Sequence, residues 1–183
     1  FQNTAAISAS GITLEHSGAI DIDANVTATG VGGFVSDRTA ESADAFNSTG
    51  FTINGGTGPV TIIAPSQSVT LGAITNAGAI TATGSAITQT GNVTSSTSYD
   101  ANGGTVAING SVAVSGAFTS DGTTFVNGGT ISADSITLEH SGTIGINANV
   151  TATGAGGFVS DRTAETSGTF NSSLATIDGG TGP

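Results

Sequence analysis

Two histidines, two arginines and thirteen carboxylates hold nearly all the acid–base chemistry open to this chain of 183 residues. The histidines sit in the same local sequence, Glu15-His16-Ser17-Gly18 and Glu139-His140-Ser141-Gly142. A Glu-His pair is a start toward a zinc centre or an acid/base couple, because imidazole titrates near neutrality and ligates metals. A structural zinc needs four ligands and a catalytic zinc three. One imidazole per segment falls short, so each histidine is expected at a turn. Asp21 and Asp23 alternate as two calcium ligands would. Their counterparts further along are Gly145 and Asn147, and no Gly-Gly-x-Gly-x-Asp calcium nonapeptide occurs. With no cysteine, disulfides and thiolate metal sites are excluded. The expectation is no cofactor and no metal.

The densest charge clusters are Asp37-Arg38 with Glu41, and Asp161-Arg162 with Glu165, which use both arginines of the chain. Two roles suit them: a surface recognition loop, or an ion pair that orders a bulge against its neighbour. As an exposed turn pair, each would be worth only about 0–1 kcal/mol. Catalysis is not expected. A lyase acting on acidic sugars needs cations to hold uronates and a base to take a proton, and two arginines with no lysine cannot line such a groove. A hydrolase needs two apposed carboxylates about 5–9 Å apart, a pairing that thirteen acids spread along the chain supply only by accident.

The elements that must position these groups come in copies. Phe1 to Pro59 returns as Phe125 to Pro183, a shift of 124, with 41 of the 59 positions identical. A long period in a chain rich in Gly and Thr implies units stacked along one axis. The whole chain reads as a single continuous segment, a piece of a longer repetitive protein. Phe1-Gln2-Asn3-Thr4 has neither the basic start nor the apolar stretch of a signal peptide. A formal charge of −11 opposes phosphate backbones and anionic lipid, so no nucleic acid is expected as partner. No apolar run approaches the roughly 20 residues of a membrane helix, so insertion by helix is not expected either.

Between glycines lie runs of three to five residues with a period of two, such as Ile12-Thr13-Leu14, Val60-Thr61-Ile62, Val69-Thr70-Leu71 and Val106-Ala107-Ile108. That period marks a strand with one buried face, and the intervening Gly and Asn-Gly supply turns. The best helix candidate, Ser36 to Phe46, is weakened by Gly168 in its second copy, and strand or loop is favoured. The fold class is therefore all-β. The 124-residue period disfavours a closed barrel and points to a parallel β-helix, with about six coils of roughly 20 residues per period and an advance of about 29 Å. Phe1, Phe34, Phe118, Phe125 and Phe158 are expected inside or at corners. Thr27-Ala28-Thr29, Thr81-Ala82-Thr83 and Thr151-Ala152-Thr153 each put two hydroxyls on one face, which leaves an ice- or surface-binding module as an alternative reading. Asn-x-Ser/Thr sequons occur at Asn25, Asn47, Asn92, Asn109, Asn149 and Asn171, and any that carried a glycan must face solvent.

The run from Gly116 to Ile131, together with Leu138-Glu139-His140-Ser141-Gly142-Thr143-Ile144 and Gly78-Ala79-Ile80-Thr81-Ala82-Thr83-Gly84, resembles the Gly/Thr/Asn-rich repeats of filamentous-haemagglutinin-like bacterial surface exoproteins. The resemblance lies in the style of the repeat over nearly the whole chain. It implies a right-handed parallel β-helix, export through the outer membrane and work in adhesion or matrix building. The expected role is a structural segment of an extracellular fibre or adhesin stalk. The expected partners are further copies of itself, or a cell-surface or matrix glycan.

Overall fold

Runs this short, with an apolar side chain at every second position, can bury that face only by lying against other strands. The computed structural model describes residues 1–39, 44–161 and 168–182, and in them the runs become eighteen strands with no helix. In chain order these are β1 (Gln2–Asn3), β2 (Ile7–Thr13), β3 (Ile20–Ile22), β4 (Val26–Asp37), β5 (Phe46–Asn47) and β6 (Thr52–Asn54). Next come β7 (Val60–Leu71), β8 (Ala73–Thr75), β9 (Ala79–Gln89), β10 (Val93–Ser96), β11 (Ser98–Ile108) and β12 (Val112–Val114). The last six are β13 (Ala117–Asn127), β14 (Ile131–His140), β15 (Ile144–Ile146), β16 (Val150–Ser160), β17 (Phe170–Asn171) and β18 (Ile177–Asp178). Every strand pairing is parallel, and the chain winds into a β-solenoid of about 8 turns. The helix candidate falls partly on residues 40–43, outside the described residues. Its start, Ser36–Asp37, ends β4, and its final residue, Phe46, opens β5.

Register sorts the interior into three ladders. The first stacks Ile7, Val26, Ile53, Ile74, Val93, Val112, Ile131, Val150 and Ile177, one from each coil. The second stacks Ile12, Phe34, Val60, Ile80, Tyr99, Phe118, Ile136 and Phe158. The third runs through Ile20, Phe46, Val69, Ile87, Val106, Phe125, Ile144 and Phe170. β-Branched residues suit this pleated surface because their stiff side chains pack on the neighbour above and below. Most are fully buried, each stabilising by about 1.5–3 kcal/mol. Phe34, Phe118 and Phe125 are buried inside, while Phe1 and Phe158 are partly buried. Edge-to-face contacts join rings between ladders, Phe34 to Phe46 at 6.1 Å and Phe118 to Phe125 at 6.2 Å.

Six steps of the second ladder carry Ile12 to Ile136, its own counterpart in the sequence repeat. One 124-residue period is thus six coils, an axial rise of about 29 Å at about 4.8 Å per strand. The differences between the two copies follow the same geometry. Of the 18 differing positions, none that is described in the first copy is buried.

The core is not purely apolar. Asn3, Ser48, Gln89 and Asn127 are buried on every second coil at one corner, alternating with Ile22, Leu71, Ile108 and Ile146. Each holds the backbone of the turns that cross that corner. Asn127 Nδ2 donates to Gly129 O (3.0 Å) and Ala148 O (2.8 Å), and its Oδ1 accepts from Asn147 N (3.0 Å). Asn3 makes the same three bonds to Ala5, Ala24 and Asp23 in its own copy. Ser48 Oγ accepts from Gly72 N at 3.0 Å, and Gln89 Nε2 donates to Gly72 O and Gly91 O. Only glycine fits at 72, since a Cβ there would lie 2.2 Å from the carbonyl oxygens of Ser48 and Phe51. The remaining acceptor of Gln89 is taken by Tyr99 OH at 3.0 Å. Buried polar groups are costly only when left without partners, and these four are partnered by the turn amides and carbonyls around them.

Two outcomes follow. Asn127→Leu keeps the volume but strips the side-chain partner from Gly129 O and Ala148 O, and leaves Asn147 N with Asn127 O alone. It should cost about 2–6 kcal/mol in a urea titration, at about 1–3 kcal/mol for each of the two stranded carbonyls; a loss below about 0.5 kcal/mol would contradict the bracing role. Tyr99 is the only tyrosine, and burial pushes its hydroxyl well above the ordinary value of 10.0. A raised pKa in the folded state means this contribution to stability is intact below about pH 10 and is lost as pH rises beyond it. Tyrosinate absorbance should therefore emerge only together with loss of the β circular-dichroism signal. Ionisation near pH 10 with the fold intact would contradict this placement.

Candidate functional site

Along the second ladder, alternation continues past the apolar positions into the charged cluster. At the end of β4, Phe34, Ser36 and Arg38 point inward, whereas Val35 and Asp37 face out. Arg38 is thus a core residue, 1% exposed, and not half of an exposed turn pair. Its backbone N donates to Ile63 O at 2.9 Å, and its guanidinium reaches back one coil to donate from Nη1 to Gly18 O at 3.1 Å. Asp37 is exposed and turns the chain instead. Its Oδ1 accepts from Thr39 Oγ1 (2.6 Å) and Thr39 N (3.0 Å), and these bonds, the hydroxyl first, hold its carboxyl below the usual value. Adjacent in sequence, the two side chains leave the strand on opposite sides. Asp161 is exposed. Glu41, Arg162 and Glu165 lie outside the described residues.

The two histidines, alike in sequence, differ in place. His16 is exposed after the end of β2, as a turn residue would be. His140 instead closes β14 and is wholly buried. Its Nε2 lies 3.0 Å from Ser120 Oγ, and that hydroxyl donates its single proton to Ala101 O at 2.9 Å. The serine can then only accept, which assigns the proton to Nε2. Beside His140 on the preceding coil is Gly122, where a Cβ would come within 3.4 Å of the imidazole Cε1. Each imidazole also packs against a phenylalanine, His16 on Phe1 and His140 on Phe125, at the same centroid distance of 5.5 Å. The turn expected from ligand counting overlooked the alternation Ile136, Leu138, His140, which already placed that ring inside.

On the outer side of the same ladder, register assembles a polar strip that the sequence motifs did not single out. Asp100 pairs with Thr119 and Thr119 with Thr137, while Asn102 pairs with Asp121 and Asp121 with Glu139. Together they line a shallow groove of about 250 Å³. Asp100 accepts from Thr119 Oγ1 (2.6 Å) and Asn102 Nδ2 (2.9 Å). The signal that could have found the strip is the local 19-residue period, which aligns Tyr99-Asp100-Ala101-Asn102-Gly103 with Phe118-Thr119-Ser120-Asp121-Gly122. These carboxylates stand on one sheet face and point the same way. A glycosidase pair must instead flank a bond from two sides. Asp23 accepts from Gln2 Nε2, and among the described residues no group of three or more His, Asp or Glu could hold a metal ion.

The threonine triplets are separated. Thr27-Ala28-Thr29 and Thr151-Ala152-Thr153 open β4 and β16 on the first ladder, whereas Thr81-Ala82-Thr83 lies on the second. The neighbours of Thr81 are Thr61 and Asp100, and those of Thr83 are Ile63 and Asn102. Thr29 and Thr153 turn their hydroxyls onto Ala9 O and Ala133 O. Three of the sequon asparagines brace the next coil, while Asn47 and Asn171 accept from Thr49 N and Ser173 N in their own turns. Asn25, Asn92 and Asn149 are exposed just ahead of a first-ladder strand, and each Oδ1 accepts at 3.0 Å from a backbone N of the next coil, at Thr52, Ser111 and Thr176.

The contrast between the histidines is measurable. His140→Ala should cost about 3 kcal/mol through the cavity and the lost imidazole–serine hydrogen bond. His16→Ala should stay within about 0.5 kcal/mol. Equal losses in a chemical denaturation series would contradict the different burial of the two rings. No protein-family model matches this chain, and neither a curated protein nor a solved structure matches it.

Proposed function

We propose that the chain is a segment of the shaft of an extracellular bacterial fibre or adhesin stalk, acting in surface adhesion, matrix building or filament assembly. The observation that carries this reading is the set of three ladders running without interruption through every coil, with six coils to each sequence repeat. Backbone hydrogen bonds then lie along the solenoid axis, where they resist bending and extension, and duplication lengthens the rod without a new fold. The hand is right-handed, the sense that parallel crossovers take in nearly all proteins, and the repeat style is that of the filamentous-haemagglutinin-like exoproteins. Charged residues are only 8% of the chain, so the like charges of neighbouring rods are sparse and screened by salt at lateral approach. The outward Thr, Asn and Asp strips offer hydrogen bonds to a surface glycan in the same array on coil after coil, so weak contacts add by multivalency. No cofactor enters this role, and it is not enzymatic. The separation of the threonine triplets favours it over ice binding.

Electron microscopy of the native material should show thin rods with an axial repeat near 29 Å, six coils at about 4.8 Å each. Compact particles without axial repeat, sedimenting as isolated spheres, would refute the shaft.

A further inference from the structure

The edge formed by β1 and β2 keeps the inward side chains that its second copy buries beneath a further coil. Its inward residues Phe1, Asn3, Ile7, Ile12, Leu14 and His16 correspond to Phe125, Asn127, Ile131, Ile136, Leu138 and His140. All six pairs are identical, as are Ala9 with Ala133, Ile20 with Ile144 and Ile22 with Ile146. Substitution in the same stretch falls outside the core, as at Gln2 and Val126, Ser10 and Asp134, and Asp21 and Gly145. In the second copy that identical surface is covered by a coil from β11 to β13: Val106 pairs with Phe125, Ile108 with Asn127, Phe118 with Ile136 and Gly122 with His140. In the first copy His16 is exposed and Phe1 and Ile7 are only partly buried, while Asn3, Ile12 and Leu14 keep 6%, 7% and 8% exposure where Asn127, Ile136 and Leu138 have 0%. The Phe-His ring contact is nevertheless already in place at 5.5 Å in both.

We infer that the edge of β1 and β2 is an interaction surface whose complement is a coil with the sequence of residues 99–124, supplied by a further 124-residue repeat of this protein. Complementarity is specific at the corner. A coil seated there must leave room for the imidazole, as Gly122 does beside His140, and carry a small hydroxyl like that of Ser120 to accept from it. Residues 99–124 meet both requirements. The C-terminal coil does not, because β16 and β18 belong to the copy of residues 26–59, which in the first copy sits on the other side of β2. Simple head-to-tail contact between two chains of this sequence is therefore not the matched interface. The inference depends on the internal duplication and not on the adhesion reading, so either can fail alone.

The test adds residues 60–124 ahead of Phe1 in the full chain and follows acylation of the two histidines by diethyl pyrocarbonate, residue by residue, by mass spectrometry. In the chain of 183 residues, His16 should react freely and His140 should be protected. In the extended chain the reactivity of His16 should drop to that of His140. Continued reaction of His16 with His140 protected overturns the inference, since His140 then reports an intact fold. Reaction of both also overturns it, because the new junction repeats the one that Thr124 and Phe125 already make.

Discussion

Everything in this molecule depends on parallel register between coils. Once Ile12 lies over Phe34 and Phe34 over Val60, each later coil has one placement that keeps its apolar face inside. A slip of one residue would turn every second side chain from core to solvent. Coil lengths vary under this constraint: Tyr99 and Phe118 are 19 residues apart, Phe34 and Val60 are 26. The extra residues go into corners and bulges, such as the shift between Ala9 and Gly11 against β4, and leave the ladders untouched. Length is free at the corners and fixed along the strands.

That division explains why polar residues are found in the core at all. A coil that turns sharply within three or four residues leaves backbone amides and carbonyls facing inward, and no strand is there to pair them. Asn3, Ser48, Gln89 and Asn127 satisfy those groups, and the intervening Ile22, Leu71, Ile108 and Ile146 keep the corner dry. Arg38 and His140 work at another corner in the same way, each spanning to the preceding coil, Arg38 to Gly18 O and His140 to Ser120. Where the corner is tight, the equivalent positions are Gly84, Gly103 and Gly122, which have no side chain to place.

The solenoid was legible because period-two runs, glycine turns and a long repeat all demand the same stacking, and even the six coils per period follow from a coil of roughly 20 residues. The interior of the corners was not. Arg38 and His140 read as surface groups because charge and imidazole are rarely buried, and only continuing the alternation from Phe34 and Ser36, or from Ile136 and Leu138, would have placed them inside. The acidic strip of Asp100, Asp121 and Glu139 escaped for a different reason. It is assembled across coils by 18- and 19-residue offsets, which no contiguous motif displays.

The pattern of divergence between the copies gives the last step. Core side chains are retained while Gln2, Asp21, Val31 and Asp44 have become Val126, Gly145, Ala155 and Gly168. In a globular domain a surface position often touches a neighbour reached by a long loop. In a solenoid each coil contacts only those above and below, so an outward side chain has almost no structural partner beyond its own ladder. Copying a block of coils therefore leaves the rod's mechanics intact and its surface free to vary. Such a solenoid can change what it presents to its surroundings one strip at a time, with no loss of the register between its coils.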